Sequence, residues 1–243
     1  EEIHSCEVQL RCKNGSIRHV LISSNVAWKD GLFIHTQCFT RDITQRRKNE
    51  NLLLLLNSVS QQLVSELDLD VSMDKIAQML VPAFADWFAI HLLKDDEVRL
   101  LKIDHGGLPK FKEATEYSRN NPLRLEKFKP KSLAWVLKIG KAVHLKNIGP
   151  LELDSLAADA EQRRILQDLQ VTSVIMMPMA MKGTIIGAVS FMTTSSHTNF
   201  DEQDFRFVQD LVARLAFSLE NTRLYNENKA LKAKYIREKE NKW

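Results

Sequence analysis

Three runs of alternating polar and apolar residues, separated by tight turns, open the chain and lead into a helical pattern. The runs cover residues 7–12, 17–26 and 31–40. Asn14-Gly15 and Asp30-Gly31 lie between them, and such dipeptides favour the two-residue turns of β-hairpins because both residues tolerate positive φ. The pattern therefore predicts a three-stranded antiparallel meander whose last strand continues directly into a helix.

The junction between the third run and the helix has the sequence Arg41-Asp42-Ile43-Thr44. Asp42 or Thr44 can accept hydrogen bonds from the free N–H groups of the first helical turn. The stretch resembles the C-terminal half of a PAS sensor domain, whose exit motif is matched by Asp-Ile-Thr. The resemblance implies that residues 1–43 are the C-terminal part of a PAS domain and that Arg41, Asp42 and Thr44 relay a signal. The alternative is a purely structural meander.

Bulk properties restrict the classes of function. A net charge of +3 over 243 residues is too small and too dispersed to indicate nucleic-acid binding. The three cysteines all lie in the first forty residues, without the spacing of a metal site, and they favour a reducing cytoplasm. No apolar run approaches the roughly 20 residues that span a bilayer. We therefore predict a cytoplasmic segment with no membrane span, no metal and no direct nucleic-acid contact.

Residues 44–66 are predicted to form a connecting signalling helix with two apolar stripes. The first stripe has the three-four spacing of a coiled-coil seam and comprises Leu52, Leu56, Val59 and Leu63. The second stripe comprises Leu53, Val64 and Leu67. A helix with two stripes has two partners to contact, of which one is its own domain and the other a second chain.

The C-terminal helix repeats this arrangement. Its first stripe comprises Phe205, Val208, Val212, Leu215 and Leu219. A second seam comprises Phe217, Leu224, Leu231 and Tyr235, with Asn221 and Asn228 interposed. Asparagine at a seam position lowers stability but favours a fixed register and a two-stranded state. Residues 225–243 are predicted to be a helical linker to an output domain that follows Trp243.

These stripes predict a parallel homodimer, because exposed seams of this length would otherwise leave a large apolar patch in water. The residues that we expect near the two-fold axis are Leu52, Leu56, Val59, Leu215 and Leu219. The alternative is that each helix is buried in the core of one chain.

Residues 52–224 show the order helix, helix, strand, strand, variable segment, helix, strand, helix, strand, strand, helix. Several motifs fall within it in sequence: Glu-Gln-Arg-Arg at 161–164, Val-Thr-Ser-Val-Ile-Met-Met-Pro-Met at 171–179, Gly187-Ala188-Val189, Phe200 with Asp204, and Leu219-Glu220-Asn221 with Leu224-Tyr225. In this order they resemble the GAF domain, a distant relative of PAS. The resemblance implies an α+β fold with a six-stranded antiparallel sheet flanked by helices, preceded by the three-strand PAS remnant and long coiled-coil-type helices.

The sequence contains no catalytic constellation, and it departs from the ligand motifs of the family. GAF domains that attach a bilin covalently usually need a cysteine in or just ahead of the domain, and residues 52–224 have none. The cyclic-nucleotide pattern is matched by Lys182, Phe200 and Asp204, but Met181 and Phe205 stand where it has Asn and Glu. Free methionine sulfoxide reductases of this fold use cysteines within the domain. The cofactor is therefore left unknown, and bilin and cyclic nucleotide are both disfavoured.

A ligand pocket is predicted on the sheet face away from the terminal helices. Its roof is the proline-punctuated segment 106–131 together with the helix around Trp135, because long irregular segments in compact domains are usually functional or disordered. His105, Trp135 and His144 are the candidate pocket residues. The alternative assigns the histidines to structural hydrogen bonds and the tryptophan to the core.

These observations predict a non-catalytic sensory PAS–GAF segment of a bacterial signal-transduction protein. It would dimerise through parallel helices and relay ligand or redox state to a downstream histidine kinase or sigma-factor-dependent transcription activator. Two alternatives remain: a ligand-free structural dimerisation module and a small-molecule-modifying enzyme on the GAF fold.

Overall fold

The computed structural model describes residues 3–13, 15–66, 68–126, 128–195 and 197–240. Contacts divide the chain into two compact units, residues 1–55 and 56–243. One helix, α1 (Thr44–Ser65), contributes its first half to the first unit and its second half to the second. Within the described residues, no helix is both long and apolar enough to cross a membrane.

The first unit is the predicted three-stranded meander. Its strands are β1 (Ile3–Arg11), β2 (Ile17–Lys29) and β3 (Leu32–Asp42), which pair antiparallel in the order β1-β2-β3. The β2–β3 turn is the predicted Asp-Gly turn, since Asp30 and Gly31 adopt φ values of 52° and 79°. Asn14 of the other predicted turn lies outside the described residues.

The second unit is built on an antiparallel sheet with the order β5-β4-β8-β7-β6. Its strands are β4 (Trp87–Lys94), β5 (Glu97–Asp104), β6 (Val143–Leu145), β7 (Val171–Met181) and β8 (Thr184–Thr194). The α+β class, with antiparallel sheets flanked by helices, is confirmed. The resemblance implied six strands, whereas the part of this unit that the structure describes has five. The described residues 121–126 and 128–132, which include Pro122 and Pro130, form no strand, and proline lacks the N–H that a ladder needs.

Six further helices surround this sheet. They are α2 (Leu69–Leu80), α3 (Lys112–Asn120), α4 (Leu133–Ile139), α5 (Pro150–Leu156), α6 (Ala160–Asp168) and α7 (Glu202–Glu240). Asp68 caps α2, Ser132 caps α4, and Asp201 accepts from Gln203 N and Asp204 N at the start of α7. The predicted order of elements has one helix between the strands that correspond to β6 and β7. The structure has two helices there, because the backbone of Asp159 is extended and its side chain accepts a hydrogen bond from Gln162 N, which caps a new helix.

The sheet has a different layer of side chains on each face. One face carries an aromatic cluster in which Phe84, from the α2–β4 turn, contacts Phe191, Phe200 and Phe207 with ring centroids 4.7–5.2 Å apart. This is the face of α7. The other face carries an apolar cluster from the strands and from α3 to α6, which includes Trp87, Phe111, Tyr117, Leu137 and Val174.

Gly187 in β8 is required by close packing within the sheet. A Cβ atom there would lie against the carbonyl oxygen of His91 and the Cε atom of Met179, inside van der Waals contact. We expect Gly187→Ala to lower the free energy of unfolding by about 1–3 kcal/mol. The reason is that the backbones of β8 and β4 cannot move apart here without disturbing the hydrogen bonds between these two strands. Urea unfolding followed by circular dichroism measures the change. Gly183→Ala is the matched control, since no atom lies within 4 Å of its Cβ position and its cost arises from φ +82° alone. An equal loss in both variants would contradict the packing argument.

Candidate functional site

The junction of β3 and α1 is tied together by the residues that the sequence predicted as a relay. The Asp42 carboxylate accepts from Thr44 N at 2.8 Å and pairs with Arg18 at 3.3 Å. The Thr44 hydroxyl accepts from His19 N at 2.9 Å, so it bonds to β2 rather than capping the helix. Arg41 lies opposite Leu21 on β2 and is exposed. The helix start is therefore hydrogen-bonded to two strands.

The hydrogen bonds from Thr44, assisted by Arg18, hold the pKa of the Asp42 carboxyl below its ordinary value. The contribution of the Asp42 cap to the free energy of unfolding is fully present at pH values above the ordinary pKa of aspartate. It is lost as the pH falls through the lowered pKa of Asp42. At neutral pH the cap is therefore fully charged and in place.

Two of the three predicted pocket residues lie on the predicted sheet face. His105 stacks between Trp87 and Phe111, with centroids 6.2 and 5.6 Å away. Trp135 of α4 packs against the same apolar cluster. Phe111 and Tyr117, from the predicted roof segment 106–131, pack on this face, and the segment includes helix α3, which the sequence analysis did not predict. The side chains of the apolar cluster pack together beneath this segment.

His144 lies on the opposite face of the sheet, so the structure does not bring it together with His105 and Trp135. Its neighbours Val143 and Leu145 on β6 point into the apolar cluster, and side chains alternate along a strand. Its ring stacks on Phe205 of α7, with centroids 5.3 Å apart, and its Nε2 lies 3.1 Å from the carbonyl oxygen of Phe200. His144 therefore supports the start of α7.

The pocket face carries polar atoms that the sequence analysis did not single out. The Nδ1 atoms of His91 and His105 and the hydroxyl of Thr115 are enclosed, and none has a hydrogen-bond partner among the described residues. Burial lowers the pKa of His91 from 6.5 to about 4, so its imidazole is neutral at physiological pH. Enclosed polar atoms without partners are costly unless water or a ligand satisfies them. Side chains alternate along β4, so His91 lies on the same face as Trp87 and Ala89, which belong to the apolar cluster. This alternation is the sequence signal that could have placed His91 on the pocket face.

The residues predicted at the dimer axis are mostly buried within the chain itself. Leu56, Val59, Leu215 and Leu219 are 0–6% exposed, and Leu52 is partly buried. The first stripe of each helix therefore packs on its own domain, and these side chains are not available to a partner. Dimerisation and the residues at its axis both remain predictions, and the apolar side chains that this chain leaves exposed on α1 and α7 are different ones.

A groove lies between α1 and α7, and two exposed residues of the second stripes, Val64 and Phe217, line it. Its volume is about 800 Å³, and its lining includes Leu63, Val64, Ala213, Phe217 and Tyr225. Val64 is 86% exposed, Phe217 61% and Tyr225 62%. Arg214 bonds to Ser60 across the two helices. Leu67 and the side chains of Leu231 and Tyr235, which the sequence placed on the same stripes, lie outside the described residues.

The family follows from a sequence comparison that fits this architecture. The GAF domain model matches residues 68–219, more than half of the chain, and the chain therefore belongs to the GAF family. No curated protein sequence matches the chain significantly. The matched range lies within the 52–224 that the sequence analysis assigned to this domain.

Three solved structures illustrate the shared fold. The GAF domain of a phosphoenolpyruvate-protein phosphotransferase from Coxiella burnetii is 18% identical, with a TM-score of 0.58, and the match covers 73% of this chain and 98% of that one. The A. aeolicus NLH2 GAF domain in an inactive state is 11% identical, with a TM-score of 0.53 and coverages of 71% and 97%. Free methionine-R-sulfoxide reductase from Neisseria meningitidis, in complex with its substrate, is 17% identical, with a TM-score of 0.51 and coverages of 70% and 89%. The likeness concerns the fold, which two GAF domains and an enzyme share here.

Proposed function

We propose that this chain is the sensory PAS–GAF segment of a bacterial signal-transduction protein and that it has no catalysis of its own. It relays ligand or redox state to a downstream output domain, either a histidine kinase or a sigma-factor-dependent transcription activator. The observation that carries the proposal is the groove between α1 and α7, because these are the helices that lead into and out of the GAF domain.

The groove supports a regulatory dimer. Its exposed aromatic and aliphatic side chains lie on two neighbouring helices, and such patches on soluble domains usually mark interaction sites. A second copy that presents the same face would bury Val64, Phe217 and Tyr225 in a bundle of four helices. A parallel arrangement places both exit helices at the same end, where they can act together on two output domains.

The enclosed polar atoms on the other face support a small-molecule ligand. His91, His105 and Thr115 offer donors and acceptors that the described residues do not satisfy. All three cysteines of the chain lie outside the matched 68–219 range, which argues against the cysteine chemistry of the sulfoxide reductases. A non-covalent ligand that changes the packing of α3 and α4 on the sheet is the simplest input for such a module.

The relay is tested at the β3–α1 junction. We expect Asp42→Ala in the full-length protein to leave folding and dimerisation intact but to hold the output constantly on or off. The reason is that Asp42 couples Thr44 and Arg18 at the point where the strand becomes the helix. The measurement is output activity with and without stimulus. Glu50→Ala, which removes a partly exposed acid about two turns beyond Asp42, is the control that should respond normally. A normal stimulus response in Asp42→Ala would mean that Asp42 is only a helix cap.

A further inference from the structure

A cavity of about 410 Å³ lies at the outer edge of the sheet of the second unit. Strand β5 is the last strand of this sheet, and among the described strands it pairs only with β4. All five residues from Arg99 to Ile103 line the cavity, although neighbouring side chains of a strand point to opposite faces. The cavity therefore opens onto the free edge of β5 rather than onto one face of the sheet.

Strand β5 has a bulge at this cavity. Ile90 of β4 pairs with Lys102, and the next residue, His91, pairs with Leu100, so Leu101 has no opposite residue on β4. An extra residue bends the strand and disrupts the regular ladder, and sheet edges shaped in this way resist pairing with another strand. We therefore expect the cavity to take a small molecule rather than an added strand.

The charged side chains of the cavity do not all neutralise one another. Lys102 forms an ion pair with Asp74 of α2. The other three charged residues of the lining are Arg99, Arg119 at the end of α3, and Asp70 at the start of α2. All three are exposed, and none of their side chains forms a hydrogen bond or ion pair within the part of the chain that the structure describes. Two guanidinium groups and one carboxylate are thus open to a ligand.

This set of charges is complementary to a molecule with two acid groups and one ammonium group. A guanidinium binds a carboxylate through two parallel hydrogen bonds, and a carboxylate accepts hydrogen bonds from an ammonium group. Two guanidinium groups in one cavity repel each other, and an anion bound between them lowers that repulsion. The free edge of β5 adds backbone donors and acceptors, and the volume lies within the range of small-molecule sites.

We propose that this cavity, the edge site, binds a small metabolite with two acid groups and one amino group, which is the chemistry of an acidic amino acid. Arg99 and Arg119 bind the acid groups, and Asp70 binds the ammonium group. The ligand connects α2, which follows the connecting helix α1, to the end of α3. The edge site goes beyond the proposed function by giving the domain a second binding site, and binding to it requires neither a dimer nor an output domain.

The first test is calorimetric titration of the unmodified chain. The probes are L-glutamate and L-aspartate, with glutarate, which lacks the ammonium group, and inorganic phosphate as comparisons. We expect one of the two amino acids to bind at one site per chain, and glutarate to bind about tenfold more weakly or worse, because it leaves the Asp70 carboxylate without a partner. Equal binding of glutarate or phosphate would refute this class of ligand. No binding of either amino acid at several millimolar would refute the site.

The second test locates the site. Arg99→Gln and Arg119→Gln should each weaken binding of the preferred amino acid by about tenfold or more, since each removes a charged hydrogen-bonding partner. Asp70→Asn should remove most of the preference for the amino acid over glutarate. Arg124→Gln is the matched control, because it removes the same charge at an exposed arginine outside the lining. Unchanged binding in both Arg99→Gln and Arg119→Gln, or an equal loss in Arg124→Gln, would overturn the proposal, whatever the oligomeric state or the stimulus response proves to be.

Discussion

Replacing Phe217 with glutamate should convert the chain from a dimer to a monomer. Phe217 is 61% exposed and lies in the groove between α1 and α7. In a two-fold assembly through this face each substitution acts twice, because both copies contribute the residue. Large aromatic side chains at the centre of an interface typically contribute about 2 kcal/mol or more each. The dissociation constant should therefore rise by about a thousandfold for the pair of substitutions.

The design of this experiment distinguishes the two stripes of each helix. Val64→Glu, on the facing helix, should have a similar effect, whereas Leu151→Glu, at an 80% exposed leucine on α5, should leave the dimer intact. Leu215→Glu is not informative about assembly, because that side chain is fully buried and its charge would unfold the domain. Sedimentation velocity at tens of micromolar measures the assembly. A dimer that persists in both Phe217→Glu and Val64→Glu would mean that another surface carries it.

The second large effect concerns acid stability and His91. Burial lowers the pKa of His91 from 6.5 to about 4, so the unfolded chain binds a proton more readily than the folded chain. The free energy of unfolding therefore rises with pH across this window. The contribution is fully present above 6.5 and is lost as the pH falls towards 4. At pH 6.5 and above, this difference between the two pKa values corresponds to about 3 kcal/mol in the free energy of unfolding.

His91→Leu should flatten this dependence, because leucine fills a similar volume without a titrating group. We expect the variant to match the parent chain or exceed it in stability at pH 4, since it also removes the unsatisfied Nδ1 atom. His35→Leu, at an exposed position on β3, should keep the full acid slope. Urea unfolding at a series of pH values provides the comparison. If His91→Leu and the parent chain lose stability in parallel, the imidazole is not buried as the structure shows.

The sequence predicted the helices and strands well where turn residues and helix-capping residues set their ends. The β2–β3 turn follows from Asp30-Gly31, and helix α4 runs between its Ser132 cap and the left-handed Gly140. Helix α3 was missed because it is short and polar, and its preceding turn begins at Pro109. The split between α5 and α6 was missed because Asp159 looks like any exposed helical acid until its backbone is seen to be extended.

Spacing along a helix does not say which stripe packs inward. The sequence identified both stripes on α1 and α7 and placed Leu56 and Leu215 near a two-fold axis, whereas both side chains are buried within the single chain. Likewise, His144 and His105 both follow or lie in strands, and only the register of β6 shows that they belong to opposite faces. Long-range packing decides which stripe of a helix is buried and which face of the sheet a histidine occupies. Residue spacing in a single sequence does not predict that packing.

The Asp86–His197 contact shows the same limit at larger separation. These residues lie far apart in the chain, and each belongs to an irregular connection. No spacing rule links them, so their contact emerges only from the folded arrangement.

The most direct measurement of the central claim is disulfide cross-linking on the groove. Residues near a two-fold axis contact their own copies, so a cysteine at Phe217 should meet its equivalent. The background is the chain with Cys6, Cys12 and Cys38 replaced by serine. Phe217→Cys should then form a covalent dimer on mild oxidation, and Leu151→Cys, on exposed α5, should remain monomeric. A Phe217→Cys chain that cross-links no faster than Leu151→Cys would contradict the account of this domain as a regulatory dimer joined through α1 and α7.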